Sequence, residues 1–211
     1  MKKFKKYLEK LQKLDVSDSL INLAETDKIV LLISGSSNYK SAALSQEQQN
    51  FLEIFKEYGY EVINSNFPYN QKFEHEEYRD VNIVKASISN IFYYIYTLYS
   101  KKFQREIRRH LKFFLNNKRK IIIVSQSSGL NVLKILETDV LQEIRIFALG
   151  PVARGNRKTK NMTVVKGTRD FYTRRMDLHK ADWFVDCKHF DYLINNEIKE
   201  NIRGELQKNK D

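Results

Sequence analysis

At 211 residues the chain is long enough to bury one full core without covalent staples, and its single cysteine, Cys187, excludes an internal disulfide framework and suits a reducing compartment. Lys and Arg number 37 against 26 Asp and Glu, a formal charge of +11 that favours anionic surfaces or acidic partners without specifying a fold. No segment approaches about 20 uninterrupted apolar residues and the lysine-rich N-terminus lacks an apolar signal stretch, so no transmembrane helix and no secretory signal are expected and the cytoplasm is the expected location.

In chain order, residues 1–13 carry Lys2, Lys3, Lys5, Lys6, Lys10 and Lys13 around an apolar stripe of Phe4, Tyr7, Leu8 and Leu11. This reads as a basic amphipathic helix in an N-terminal segment, 1–27, that precedes a single domain over 28–211. Residues 28–33, Lys28 followed by five apolar residues, read as a buried strand, followed by Ser34, Gly35, Ser36, Ser37 and Asn38. Ser45 and Gln48 have capping-box spacing, Phe51, Leu52, Phe55 and Tyr58 make a helix face, and Gly59 is placed to end it. Residues 60–65 read as the next strand, stopped by Pro68.

A long helical stretch follows from Val84 to Leu115, with a break near Ser100, and is read as a helical insertion over about 82–117. Within it, 91–99 is rich in aromatic side chains and has two readings: a lid over an acyl pocket, or ordinary helix packing. The stretch 101–120 puts Phe103, Ile107, Leu111, Phe114 and Leu115 on one face. Lys101, Lys102, Arg105, Arg108, Arg109 and Lys112 take the other. Such a helix either associates weakly with an anionic membrane surface or packs its apolar face on the core with its charges solvated.

Residues 121–124 are apolar and mostly β-branched, break into Ser125, Gln126, Ser127, Ser128 and Gly129, and give way at once to Leu130, Val132, Leu133 and Leu136. That is a buried strand, a tight turn and a helix, with Ser127 at the bend. Residues 144–149 read as a strand ending at Gly150 and Pro151, and 162–167 as another that leads through Thr168 and Arg169 to Asp170. Residues 183–185 make the last, running through Asp186, Cys187 and Lys188 into His189. The total is about six mainly parallel strands, near positions 30, 62, 122, 146, 164 and 184, with helices between them.

The turn at Ser127 has the layout of a nucleophile elbow, in which a sharp strand-to-helix bend lifts one hydroxyl clear of the sheet and small neighbours let the elements approach. The match is S-x-S-x-G, with Ser125 in place of the first glycine; a serine-rich turn is the plainer reading. A serine hydroxyl needs a base to take its proton, and that base needs a carboxylate to hold its tautomer and stabilise the imidazolium. His189 and Asp170 supply both in the chain order Ser, Asp, His, each near the C-terminal end of a strand. Asp177, Asp182 and Asp186 are the competing acids. Candidate oxyanion donors are the backbone N–H of Ser128 and that of Ser36 or Ser37 after the first strand.

At these residues the chain resembles the α/β-hydrolase superfamily, especially its small serine hydrolases of the esterase kind. The segments that carry the resemblance are 121–129, 167–170 and 184–190, within a likeness spanning about 28–200. It implies a three-layer α/β-hydrolase-like sandwich trimmed of the first two antiparallel strands of larger relatives. It also implies that Ser127 is the nucleophile, Asp170 the acid and His189 the general base. The chain departs from the pattern at Ser125 and at Gln126, which stands where a histidine is frequent.

The function expected is hydrolysis of an ester, thioester or related acyl bond in a small-molecule substrate; acyl transfer would use the same parts. The alternative is a hydrolase-like domain without turnover that serves as a basic binding module for an anionic partner. A catalytic pairing of Cys187 with His189 is set against the ordinary role of a strand cysteine as buried filler. His75, His110 and His179 lack metal-ligand spacing, so no metal is expected. No cofactor is expected either, since neither a Walker A nor a Rossmann glycine fingerprint is present. Nucleic acid is not an expected partner, because the positive charge comes without a nucleic-acid-binding signature.

Overall fold

The computed structural model describes residues 2–36, 38–112, 120–136, 141 and 144–208. Its centre is a six-stranded sheet of β1 (Lys28–Ile33), β2 (Glu61–Val62), β3 (Lys120–Gln126), β4 (Arg145–Leu149), β5 (Met162–Gly167) and β6 (Trp183–Val185). The order is β2-β1-β3-β4-β5-β6 and every pairing is parallel, where the sequence suggests only mainly parallel. Parallel strands need a crossover between neighbours, and the crossovers put helices on both faces. This is why β1, β3 and β4 can each hold an unbroken apolar stretch, at 29–33, 121–124 and 146–149: each alternate residue has a layer of its own to face.

Ile29, Leu31 and Ile33 join Ile121, Ile123, Ile146 and Val164 in one buried cluster, against Phe4, Tyr7 and Leu11 of α1 (Lys2–Lys13). Val30, Leu32, Ile122, Val124, Phe147 and Val165 face the opposite layer. There they meet Phe51 and Leu52 of α2 (Gln46–Leu52), and the C-terminal helix Asn196–Lys208 through Ile198, Ile202 and Leu206. The result is a three-layer sandwich.

The capping box of Ser45 and Gln48 forms at the start of α2, which passes into a 3-10 helix over Glu53–Tyr58 and ends at Gly59 with φ +77°. Strand β2 is shorter than the run 60–65 suggests. Ile63 N–H still donates to the Val30 carbonyl, but Ser65 N–H turns back to Ile63 and Asn66 N–H to Ala42, so the chain leaves the sheet edge.

The helical stretch breaks at Ser100 into α3 (Ile83–Tyr99) and α4 (Lys101–Leu111), because the Ser100 hydroxyl accepts from Phe103 N–H and caps the second helix. Phe114 and Leu115 lie outside the described residues. Arg109, expected on the solvent face of α4, turns inward instead. It donates to the carbonyls of Leu14 at 2.9 Å and Leu11 at 2.5 Å, and to Glu106 at 2.7 Å. Those carbonyls lie at and just beyond the C-terminal end of α1, where Leu11 keeps only a long bond from Leu14 N–H and a contact from His110, and Glu106 is a buried carboxylate, so both draw the guanidinium down. Among the described residues no helix is long and apolar enough to cross a membrane.

Two short helices complete the site's frame: α5 (Gly129–Leu133) directly after β3, and α6 (Phe171–Met176) directly after the loop that leaves β5. The C-terminal helix is α7. Because all strands run the same way, β3, β5 and β6 deliver the residues that follow them to one edge of the sheet.

Candidate active site

Ser127 leaves β3 at φ +52°, the left-handed region that a side chain adopts only at a cost. The bend is held from both sides: Ser127 N–H donates to the Leu149 carbonyl at the end of β4, and its own carbonyl accepts from Val152 N–H. The helix that follows begins so close to β1 that a Cβ on Gly129 would collide with the Ile33 carbonyl. A glycine is therefore required there by contact. Ser125 lies inside β3, opposite Ile33 and Ala148, and is buried.

Ser127 Oγ is 3.0 Å from His189 Nε2, and His189 Nδ1 is 2.8 Å from Asp170 Oδ2. Asp170 N-caps α6, with Oδ1 accepting from Thr173 N–H at 3.1 Å. Oδ2 also accepts from the Thr173 hydroxyl at 2.6 Å and the Tyr192 hydroxyl at 2.8 Å. Burial alone would push this carboxyl up, but the hydrogen bonds from His189 and from the Thr173 side chain and backbone outweigh it and hold it below the usual carboxylate range. The group is thus an anion that receives one hydrogen bond on Oδ1 and three on Oδ2.

The competing acids go elsewhere. Asp177 is buried between Lys166 Nζ at 2.8 Å and His179 Nδ1 at 2.6 Å. Asp182 binds Lys158 and Val164 N–H, and exposed Asp186 pairs with Arg169 and Thr168. Cys187 is buried and its thiol is pushed up to about 11, mainly by that burial, so it is a neutral packing group at ordinary pH. His75 bonds to the Phe73 carbonyl and His110 packs in the core near the Leu11 carbonyl.

Ser128 follows the bend, is buried, and starts α5. The loop after β1 meets it there, since a Cβ built on Gly35 would lie 2.6 Å from both Ser128 Oγ and Asn90 Oδ1. Ser36 belongs to this loop, its hydroxyl donating to the Asn38 carbonyl, and borders a polar cavity of about 80 Å³ with Ser34, Asn38, Gln48 and Asn66. Ser37 lies outside the described residues. The rim on the other side is aromatic, with the Tyr172 and Phe190 rings 5.0 and 5.3 Å from the His189 ring.

The fold is α/β-hydrolase-like. No protein-family model and no curated protein sequence matches the chain. Among solved structures, it is similar to a Trichoderma reesei cutinase held in complex with a phosphonate inhibitor, at 14% identity over 97% of this chain and 90% of that one, with a TM-score of 0.49. An esterase from Pyrococcus furiosus aligns at 15% identity over 88% and 84%, with a TM-score of 0.41. An uncharacterized protein from Bacillus cereus aligns at 12% identity and a TM-score of 0.46; the match covers 87% of this chain but only 60% of that larger one.

Two polar groups of the site escape a reading of the sequence. Thr173 stands three residues after Asp170, the spacing of a capped helix start, and that spacing could have flagged it. Tyr192 gives no such signal. Its hydroxyl accepts from Gly167 N–H at 2.6 Å while donating to Asp170, a link between β5 and the loop after His189 that only the fold creates.

Proposed function

We propose that the protein is a serine hydrolase that cleaves an ester, thioester or related acyl bond through an acyl-enzyme. The observation that carries this reading is the hydrogen-bonded line from Ser127 Oγ through His189 to a buried, anionic Asp170, with Ser127 held at positive φ. His189 Nε2 takes the Ser127 proton as Oγ bonds to the substrate carbonyl carbon. The oxyanion that forms is received by Ser128 N–H and by a backbone N–H from the loop after β1, at Ser36 or Ser37. His189 then gives its proton to the leaving oxygen or sulfur as the acyl bond breaks. Water repeats the sequence in reverse, its proton passing to His189 and then to Ser127 Oγ. Asp170 remains ionised throughout and stabilises the transient imidazolium.

Loss of the first elbow glycine does not weaken the reading, because the close approach of helix to strand falls on Gly129, which is retained. A fluorophosphonate probe tests it directly, since such a probe bonds covalently only to an activated serine. The wild-type protein is expected to gain one probe mass on the peptide containing Ser127, and Ser127→Ala none. A wild-type protein that neither takes the probe nor hydrolyses an activated short-chain ester would overturn the proposal.

A further inference from the structure

Helix α3 is built inside out. Val84, Ile88, Ile91, Ile95 and Tyr99 recur at spacings of three and four, so they form one stripe, and each is between 42% and 66% exposed. The opposite face carries Tyr93 and Thr97, both buried, and the half-buried Ser89 and Asn90. In its 17 residues the helix has a single charged side chain, Lys85. An outward aliphatic stripe running the length of a helix is the kind of patch that marks an interaction surface.

The surroundings select the partner. Beyond the C-terminal end of α3 stand exposed Lys101, Lys102, Arg105 and Arg108, and Arg154 lies beside Tyr99, with Nη1 3.3 Å from its hydroxyl. The single carboxylate between positions 82 and 136 is Glu106, which is buried against Arg109. The acidic residues Glu74, Glu76, Glu77 and Asp80 precede the other end of the helix. A second copy of this chain with its helix parallel would bring like charges together at both ends, whereas an anionic lipid leaflet takes both the stripe and the cations beside it.

We propose that α3 docks flat on an anionic membrane surface, with Ile88, Ile91, Ile95 and Tyr99 seated in the headgroup region and Lys101, Lys102, Arg105, Arg108 and Arg154 against lipid phosphates. The helix is too short to span: at about 1.5 Å per residue it reaches less than the roughly 30 Å hydrocarbon core, and its inner face is already packed. Tyrosine at the stripe's end suits the interface, where a ring is buried and its hydroxyl stays wet. Asn90 on the inner face lies against Gly35, in the loop that also meets Ser128, so the docking helix backs onto the candidate site. The docking does not rest on turnover at Ser127.

The test is co-sedimentation of the full chain with vesicles of phosphatidylcholine alone and of phosphatidylcholine mixed with phosphatidylglycerol, alongside sedimentation velocity without lipid. Wild-type protein should bind the mixed vesicles and not the neutral ones, and remain monomeric without lipid. Ile88→Asp/Ile91→Asp/Ile95→Asp replaces exposed side chains, so it should fold normally by circular dichroism and lose at least about tenfold in partitioning. Arg105→Glu/Arg108→Glu should lose at least about tenfold as well, each cation at an anionic leaflet being worth roughly fivefold. Failure of the wild type to bind mixed vesicles, or unimpaired binding by a folded triple variant, overturns the proposal. So does a lipid-free dimer that the triple variant dissociates, which would assign the stripe to a second copy.

Discussion

Replacing Asp170 with asparagine tests the site at its most constrained group. All four hydrogen bonds to the carboxylate come from donors: Thr173 N–H on Oδ1, and His189 Nδ1, the Thr173 hydroxyl and the Tyr192 hydroxyl on Oδ2. An amide NH₂ therefore faces a donor whichever way it turns. If it replaces Oδ2, His189 must shift its proton to Nε2 in order to accept at Nδ1, and Nε2 can no longer take the Ser127 proton. If it replaces Oδ1, the negative charge is lost and the α6 cap with it. The expected loss is about ten-thousand-fold in kcat, roughly 5 kcal/mol of transition-state stabilisation. Tyr192→Phe removes one charge-assisted bond of about 1.5–3 kcal/mol and should cost no more than about a hundredfold. Initial rates on a soluble activated ester, with thermal melts to establish folding, give both numbers. Asp186→Asn, an exposed control bonded to Arg169 and Thr168, should be unchanged. A folded Asp170→Asn within about tenfold of wild type would refute this reasoning, and a large loss at Asp186 would reassign the acid.

Four further outcomes follow from the same contacts. The Asp170 carboxyl is held below its unfolded value, so the unfolded chain binds more protons in acid; the group's stabilisation is complete above about pH 5 and lost as pH falls through the folded value, and denaturant midpoints between pH 6 and pH 3 should fall less in Asp170→Asn than in wild type. Gly129→Ala drives a Cβ into the Ile33 carbonyl, which is backbone and cannot swing away, so a loss of about 3 kcal/mol or more is expected by urea denaturation. Ser125 Oγ is buried without a hydrogen-bond partner among the described residues, so Ser125→Ala should be neutral or up to about 1 kcal/mol stabilising in the same assay, with probe labelling kept. Arg109→Ala removes a guanidinium donor from both the Leu11 and the Leu14 carbonyls and leaves buried Glu106 without its close guanidinium; a loss of about 3 kcal/mol is expected, measured as a lowered melting temperature.

The sheet was legible because parallel strands buried on both faces are rich in apolar, β-branched residues: 29–33 and 121–124 are unbroken apolar runs, and 162–165 is apolar but for Thr163. The edge was not: β2 ends after two residues because Ser65 and Asn66 find backbone partners in a turn and in the loop at Ala42, contacts with no local signature. Helix faces were legible where one side meets the core. Arg109 broke the pattern because the end of α1, nearly a hundred residues away in sequence, offered it carbonyls. On α3 the periodicity correctly marks a helix, yet the side of the stripe that meets the core cannot be read from spacing alone. The aliphatic residues there turned outward.

The bend at Ser127 separates two demands that a motif merges. One is conformational: the residue at the bend must take positive φ, which Ser127 does, held by Leu149 and Val152. The other is steric, and it could fall on either flanking small residue. Here it falls entirely on Gly129, because α5 starts against the Ile33 carbonyl, while Ser125 still lies in the sheet, where a side chain has an ordinary place opposite Ala148. A small residue at 125 is enough, and glycine there is not required by contact. The departure from the pattern is thus absorbed by the strand before it reaches the turn. The hydroxyl at 127 keeps its 3.0 Å approach to His189, and restoring glycine at 125 would relieve no contact that the bend depends on.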